Sequence, residues 1–357
     1  MTLRLSGFYT KHAMKAHILR RESAQPERLR GLVLTRDLGT GDARLRKGHI
    51  LTETDLPRLL DADWQELHLL ELEPGELHEA EAGRRLATAV AGEGVVVHGM
   101  TGGQWPLSAV GKGLFVVDAA GVDRINALEG CSLYTLCDRV VVTVGESVAR
   151  AKITPFAIAG QTIKEAEAIA RNCGGMIRVL PFRAHAVGAI VKETLESSAR
   201  DRFQAVLAEK LAWFDSTLLP VEYVAPAAAT IAEATRRLLE RGATLLLMAG
   251  ANAMDPLDPI FLSVEQLGGR MEKHGVPAHP GSLLWLARLG DAPILGVPTC
   301  GMFSQATVFD LILPEILACL PVDRGRLTRL GVGGFLTREY AFRFPPYRER
   351  APRGEIE

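Results

Sequence analysis

Residues 245–260 read LLLMAGANAMDPLDPI, and this stretch decides the fold class. The run Leu245-Leu246-Leu247-Met248 has the length and composition of a buried strand. It breaks at Ala249-Gly250, passes through Ala251-Asn252, and reaches Asp255 and Asp258. Asp258-Pro259 predicts a helix start, because Asp accepts from the open N–H groups of a first turn and Pro is preset for the first helical position. The unit is strand, small-residue loop, helix N-terminus. In an open α/β sheet such a loop lies at the carboxyl end of a strand, where ligands bind. Small side chains let a ligand reach the backbone, and a helix start offers N–H groups to an anion.

Residues 279–303, HPGSLLWLARLGDAPILGVPTCGMF, repeat that logic. Apolar runs predict strands over 282–286 and 293–297. Pro280-Gly281 turns into the first, and Pro298-Thr299-Cys300-Gly301 leaves the second toward a helix capped by Ser304. Upstream, strand and helix alternate. Residues 187–191 read as a strand; Phe203, Val206, Leu207, Leu211 and Phe214 share one helix face. Residues 218–224 read as a strand, and Ile231, Ala234, Leu238 and Leu239 line a helix that stops at Gly242. The alternation predicts an α/β domain over 177–322: a mostly parallel sheet with helices on both faces.

This order of strand, small-residue loop with Asp, helix, Pro-Gly turn, strand pair, Pro-containing loop and helix resembles the molybdopterin-binding domain of molybdopterin molybdotransferases and adenylyltransferases. The resemblance covers residues 177–320. Within that family the chain is most similar to stand-alone bacterial molybdopterin-binding proteins related to the front half of some molybdenum cofactor cytidylyltransferases. The segments Leu330-Gly331-Val332-Gly333-Gly334-Phe335-Leu336 and Lys152-Ile153-Thr154-Pro155-Phe156-Ala157 fit that group as well. Catalytic members usually carry Gly-Gly-Thr-Gly or Gly-Gly-x-Ser where this chain has Ala249-Gly250-Ala251-Asn252. Their Leu-Pro-Gly-Asn-Pro is here Val297-Pro298-Thr299-Cys300-Gly301. One glycine and a hydroxyl are missing from the first loop, which argues against an enzyme more than against the fold.

The resemblance implies a ligand with a pterin, a dithiolene and a terminal phosphate. A site for it needs N–H donors for the phosphate and polar groups for the pterin edge. The candidates are Thr194, Gly250, Ala251, Asn252, Asp255, Asp258, Pro280, Gly281, Pro298, Thr299, Cys300, Gly301 and Ser304. Asp255 or Asp258 could hold a pterin N–H or, in an enzyme, Mg2+. Plain structural duties compete: helix cap for Asp258, turn residue for Asp255, cap for Thr194, small filler for Cys300. His274 and His279 lack a third ligand at metal-binding spacing. The implied functions are binding of molybdopterin or another molybdenum cofactor form during its biosynthesis or handling, an active molybdotransferase or nucleotidyltransferase, or a ligand-free regulatory or assembly protein. A molybdoenzyme or another cofactor-biosynthesis protein would be the protein partner, and a homo-oligomer is compatible with the sequence.

Composition bounds these readings. The chain has 357 residues, 47% hydrophobic and 23% charged, with net charge −1. That is a globular profile, and a near-neutral chain has no global field to attract nucleic acid. No apolar run is long enough for a membrane span. No signal peptide is recognisable before residue 22. The five cysteines, Cys131, Cys137, Cys173, Cys300 and Cys319, form no C-x-x-C pair and suit a reducing cytoplasm.

The first part of the chain reads as a basic arm and small α+β module (1–92). Strands are expected near 29–38, 47–51 and 67–72, a short helix capped by Thr52 or Thr54, and a helix over 79–90. Residues 93–176 read as β-rich, with runs at 95–97, 114–117 and 140–144. Thr101-Gly102-Gly103-Gln104 lacks the Gly-Lys-Ser/Thr of a phosphate loop and reads as a turn. Thr162-Ile163-Lys164-Glu165 has the pattern of a capping box opening a helix that connects to the α/β domain. Residues 323–357 read as a tail, poorly ordered from 337 onward.

Overall fold

Leu245, Leu247 and Ala249 belong to one apolar core and Leu246 and Met248 to another. This period-two division is what a strand buried on both faces requires. The computed structural model describes residues 2–5, 14–25, 28–41, 44–172, 174–192, 196–297 and 306–347. The chain folds as two compact units. The first comprises Met1–Gly111, Phe115–Asp138 and Val144–Val179; the second comprises Lys112–Leu114, Arg139–Thr143 and Leu180–Glu357.

In the first unit, β1 (Thr2–Leu5), β2 (Met14–Arg20), β3 (Val33–Leu34) and β4 (Glu66–Glu71) form an antiparallel sheet in the order β1-β2-β4-β3. Leu34, Leu67 and Leu69 on one face bury Leu51, Leu59 and Trp64. The strand expected over 29–38 is only two residues long, because Gly31 and Gly39 at positive φ turn the chain on either side. Helix α1 (Leu56–Asp61) follows a 3-10 turn whose capping box pairs Thr52 with Asp55, one of the two caps anticipated. Helix α2 (Glu79–Val90) matches the expected span. A second antiparallel sheet comprises β5 (Val95–Val97), β6 (Gln104–Ala109), β7 (Cys131–Thr135) and β8 (Ser147–Ile153), in the order β5-β6-β8-β7. Helix α3 (Ala119–Asn126) precedes β7. Thr101 and Gln104 pair across a turn, as read from the sequence. Helix α4 (Gly160–Arg171) starts at Gly160, so Thr162 lies inside it and the expected capping box does not form.

The second unit holds a seven-stranded sheet. Its elements are β9 (Ala186–Val191), α5 (Ser197–Trp213), β10 (Thr217–Leu218), β11 (Glu222–Tyr223), α6 (Ala228–Glu240), β12 (Leu245–Ala249), α7 (Pro259–Gln266), β13 (Arg270–His274), β14 (Trp285–Leu289), β15 (Ala292–Val297), α8 (Val308–Leu317) and α9 (Arg324–Thr328). Strand order is β10-β9-β12-β15-β14-β13, with β11 also on β9. Helices α5 and α8 cover one face through Phe203, Leu207, Leu211, Phe309 and Ile312; α6 and α7 cover the other through Ile231, Leu238, Ile260 and Val264.

The architecture is α/β and the sheet is mixed, so the expected mostly parallel sheet is met only in part. β9 runs parallel to β10, β11 and β12, and β12 to β15, whereas β15–β14 and β14–β13 are antiparallel. The cause is the two-residue link Gly290-Asp291 between Leu289 and Ala292, with Gly290 at φ 57°. A link that short closes a hairpin; a parallel crossover needs a dozen residues or more. The first strand of this pair begins at Trp285 rather than Ser282, since Leu284 N–H turns back to the Gly281 carbonyl at 3.0 Å.

The Arg- and Pro-rich end is also folded as far as residue 347. Residues 338–343 form a 3-10 helix, and the Tyr347 ring lies 6.3 Å from Trp213 and 6.1 Å from Phe214. Its hydroxyl donates to Asp310 at 2.8 Å, and burial holds the phenol far above its ordinary pKa, reinforced by the Asp310 charge. No helix among the described residues is long and apolar enough to cross a membrane.

Candidate functional site

Three adjacent parallel strands end in one row. Val191 of β9 pairs with Ala249 of β12, and Ala249 with Val297 of β15. The next residues, Lys192 and Gly250, leave the sheet at its carboxyl edge, and β14 begins at Trp285 on the neighbouring strand. After β12 the edge is built as the sequence predicts: an apolar strand carries the chain out of the core, and Gly250 and Ala251 take over where it stops.

The loop after β12 is organised by Asp258. Its carboxylate is 2% exposed. Oδ1 accepts from Ile260 N–H at 2.9 Å, which is the N-cap bond, with Pro259 at the first helical position. Oδ2 accepts from Asn252 N–H at 2.8 Å and from the Lys192 ammonium. The Lys192 side chain is 12% exposed, so this ion pair is largely buried. The backbone also ties the two strand ends together, with Lys192 N–H donating to the Ala249 carbonyl at 3.0 Å. Sequence reasoning missed Lys192. Its position directly after a predicted strand was the available signal, but its partner lies 66 positions away.

Asp255 has a lighter role. It is exposed, and its Oδ1 accepts from Leu257 N–H at 2.9 Å in a local turn ahead of the helix. Gly250 has φ 88°, a conformation a side chain resists. Ala251 is partly buried, and Asn252 is exposed with Oδ1 turned back to Met254 N–H at 3.3 Å. Met254 and Leu257 project from the loop.

Pro280 and Gly281 sit against the start of α8. The Pro280 carbonyl accepts from Val308 N–H at 3.1 Å. Gly281 has φ 108°, and a Cβ there would lie 2.7 Å from a Val308 methyl carbon. The helix is capped by Thr307, whose Oγ1 accepts from Phe309 N–H at 3.2 Å in a capping box with Asp310. Ser304 was expected in that place; α8 begins too late for it. Asp310 is fully buried and also takes Lys210 at 2.7 Å.

These contacts correct one expectation. Neither helix start offers free N–H groups to an anion. At α7, Pro259 has none, Ile260 N–H is held by Asp258, and Phe261 and Leu262 N–H both donate to the Asp258 carbonyl at 2.9 and 3.2 Å. At α8, Val308, Phe309 and Asp310 N–H are bonded to Pro280, the Thr307 hydroxyl and the Thr307 carbonyl. The one cation at the described edge loop is Lys192, with three N–H donors, one of them on Asp258. Thr194, Pro298, Thr299, Cys300, Gly301 and Ser304 lie outside the described residues. Among the described residues no group of three or more His, Cys, Asp or Glu is placed to hold a metal ion. His274 lies edge-on to Phe261, with ring centroids 5.1 Å apart. The His279 backbone pairs with the glycine-rich segment, its N–H donating to Gly334 and its carbonyl accepting from Leu336, each at 2.8 Å.

No family model and no curated protein matches the chain. Among solved structures, the crystal structure of a molybdopterin biosynthesis MoeA protein from Pyrococcus horikosii is similar at 10% identity. The match covers 70% of this chain and 80% of that one, with a TM-score of 0.30.

Proposed function

We propose that the chain binds molybdopterin, or a molybdenum cofactor form derived from it, at the carboxyl edge of the seven-stranded sheet, and that it takes part in biosynthesis or handling of that cofactor. The observation that carries this reading is the row Val191, Ala249 and Val297 with Lys192 beside the small-residue loop. Such an edge is where open α/β sheets receive ligands. Lys192 would meet the phosphate as a point charge. Gly250, Ala251 and Asn252 would lie against the ring system, and the exposed Asp255 carboxylate would accept pterin N–H groups. Thr194 follows β9 in the sequence and Pro298, Thr299, Cys300, Gly301 and Ser304 follow β15, and the reading would draw its further donors from these stretches. Pro280 and Gly281 would fix the position of α8 rather than touch the ligand.

Binding is favoured over catalysis for two reasons. Of the two loop carboxylates, Asp258 is occupied by a helix cap, a loop N–H and an ammonium. The loop also lacks the second glycine and the hydroxyl that the catalytic relatives use. The protein purified from its native cells should release a fluorescent oxidised pterin after iodine treatment, in near-stoichiometric amount. Absence of pterin, together with failure to take up added molybdopterin, would refute the reading. Turnover of molybdopterin with ATP and Mg2+ would move it to the enzyme class.

A further inference from the structure

The first unit has a cavity of about 710 Å³, lined wholly by residues of that unit. One wall is the second face of the β1-β2-β4-β3 sheet. Ala16 pairs with Leu70 and Ile18 with His68 across β2 and β4, so these four share that face. At one end the face is covered, where Val33 and Leu70 pack on Ala157 and Phe156. Beyond that it opens into the cavity, whose opposite wall comes from Leu128 and Glu129 in the turn between α3 and β7, from Ser132 of β7, and from Thr154-Pro155-Phe156. An antiparallel sheet that faces water on one side normally shows it polar residues. This one presents the half-buried Ala16 and Ile18 to the cavity.

Volume and charge define the occupant. The cavity is within the range of sites for drug-sized molecules, and such sites are mostly apolar with a few polar groups that set orientation. Among the described residues that line it there is no Lys or Arg, whereas Glu129 is present. The Glu129 carboxylate would repel a phosphate or carboxylate there. Ser132, Thr154 and the His68 ring give hydrogen-bonding edges above an apolar floor. We infer that this cavity is a second small-molecule site, selective for a flat, largely apolar ligand that carries no negative charge. The two sites would then sort ligands by charge, the sheet edge taking an anion and this cavity excluding it.

The probe for the test is Nile red, flat and neutral, against the anionic dye 1-anilinonaphthalene-8-sulfonate. The full-length protein should bind one Nile red per chain with a micromolar dissociation constant, and the anionic dye about tenfold more weakly or worse, a difference near 1.4 kcal/mol. Ile18→Trp and Ser132→Phe each place an aromatic group in the cavity and should weaken Nile red by about tenfold or more. Cys131 lines the cavity and is buried, with its thiol pushed up to about 11 by desolvation, while Cys137 is exposed. Saturating Nile red should therefore slow N-ethylmaleimide labelling of Cys131 at pH 9 and leave Cys137 unchanged. Non-saturable dye binding, equal binding by a folded cavity-filled variant, preference for the anionic dye, or unchanged Cys131 labelling would each overturn the inference. If one filling variant does not fold, the other variant and the labelling contrast decide.

Discussion

Replacing Asp258 should cost far more than removing a helix cap. In Asp258→Ala, Ile260 N–H loses its cap, a loss of about 1 kcal/mol taken alone. Asn252 N–H loses its acceptor as well, and the Lys192 ammonium, 12% exposed, is left without its carboxylate. Breaking a buried pair from one side costs about 3–5 kcal/mol, because the surviving charge is uncompensated. The total is dominated by that term, so Asp258→Ala should lose about 3–5 kcal/mol, or roughly 10 °C in Tm at about 2–4 °C per kcal/mol for a unit of this size. Removing the charge with its partner should recover much of it: Lys192→Met/Asp258→Ala leaves two unbonded N–H groups and no buried charge. The coupling between the two sites should be about 2 kcal/mol or more, well above the few tenths seen for independent positions. Asp258→Asn keeps an acceptor for Ile260 but cannot also serve Lys192 and Asn252, and should fall between wild type and Asp258→Ala. Scanning calorimetry on the four corners of this cycle is the assay. A loss near 1 kcal/mol with additive effects would show that Asp258 is only a cap and that the ion pair contributes nothing.

Other outcomes follow from the same contacts. Burial raises the Asp55 carboxyl, but hydrogen bonds from the Thr52 hydroxyl, the His49 ring and Thr52 N–H outweigh it and hold the group at about 2. Its stabilisation, about 1–2 kcal/mol, is complete above the unfolded value near 4 and is lost as pH falls toward 2; Asp55→Asn should remove that part of the acid transition in a pH series of melts. Gly281→Ala forces φ 108° on a side chain and drives a Cβ to 2.7 Å from Val308, so it should lower the melting temperature and disturb the start of α8, read by amide exchange at Val308 and Phe309. Lys210→Met leaves the fully buried Asp310 without its cation and should cost about 3–5 kcal/mol, whereas Tyr347→Phe removes one hydrogen bond to a charged group and should cost about 2 kcal/mol. Near-equal losses in urea melts would contradict that ranking.

What could be read in advance was local. Asp258-Pro259 announces the start of α7 within two residues, and the apolar positions of α5 and α6 declare their buried faces at helical spacing. The carboxyl edge of β12 was likewise visible in the change from Leu and Met to Gly, Ala and Asn. What escaped depends on distant partners. Lys192 acquires its role only when β9 and β12 pair, and Tyr347 only when the chain end meets Trp213, Phe214 and Asp310. The mixed sheet was hidden because apolar runs show where strands are, not which way they point. The Gly290-Asp291 link carried that information in its length. The misplaced cap at Thr162 shows a local pattern overruled by position, since α4 had already begun at Gly160 against the strand over residues 157–159.

The central claim is that an anionic pterin binds at the edge where Lys192 leaves β9. It is tested most directly by calorimetric titration of molybdopterin, and of a neutral pterin lacking phosphate, into the wild-type protein, Lys192→Met and Asp255→Ala. The account predicts micromolar or tighter binding of molybdopterin by the wild type and little binding of the neutral pterin. Each substitution should weaken molybdopterin binding about ten- to a hundredfold, the equivalent of one charged hydrogen bond, with Asp255→Ala leaving the melting temperature nearly unchanged. Equal affinity for the two pterins, or full affinity in Lys192→Met, would contradict it.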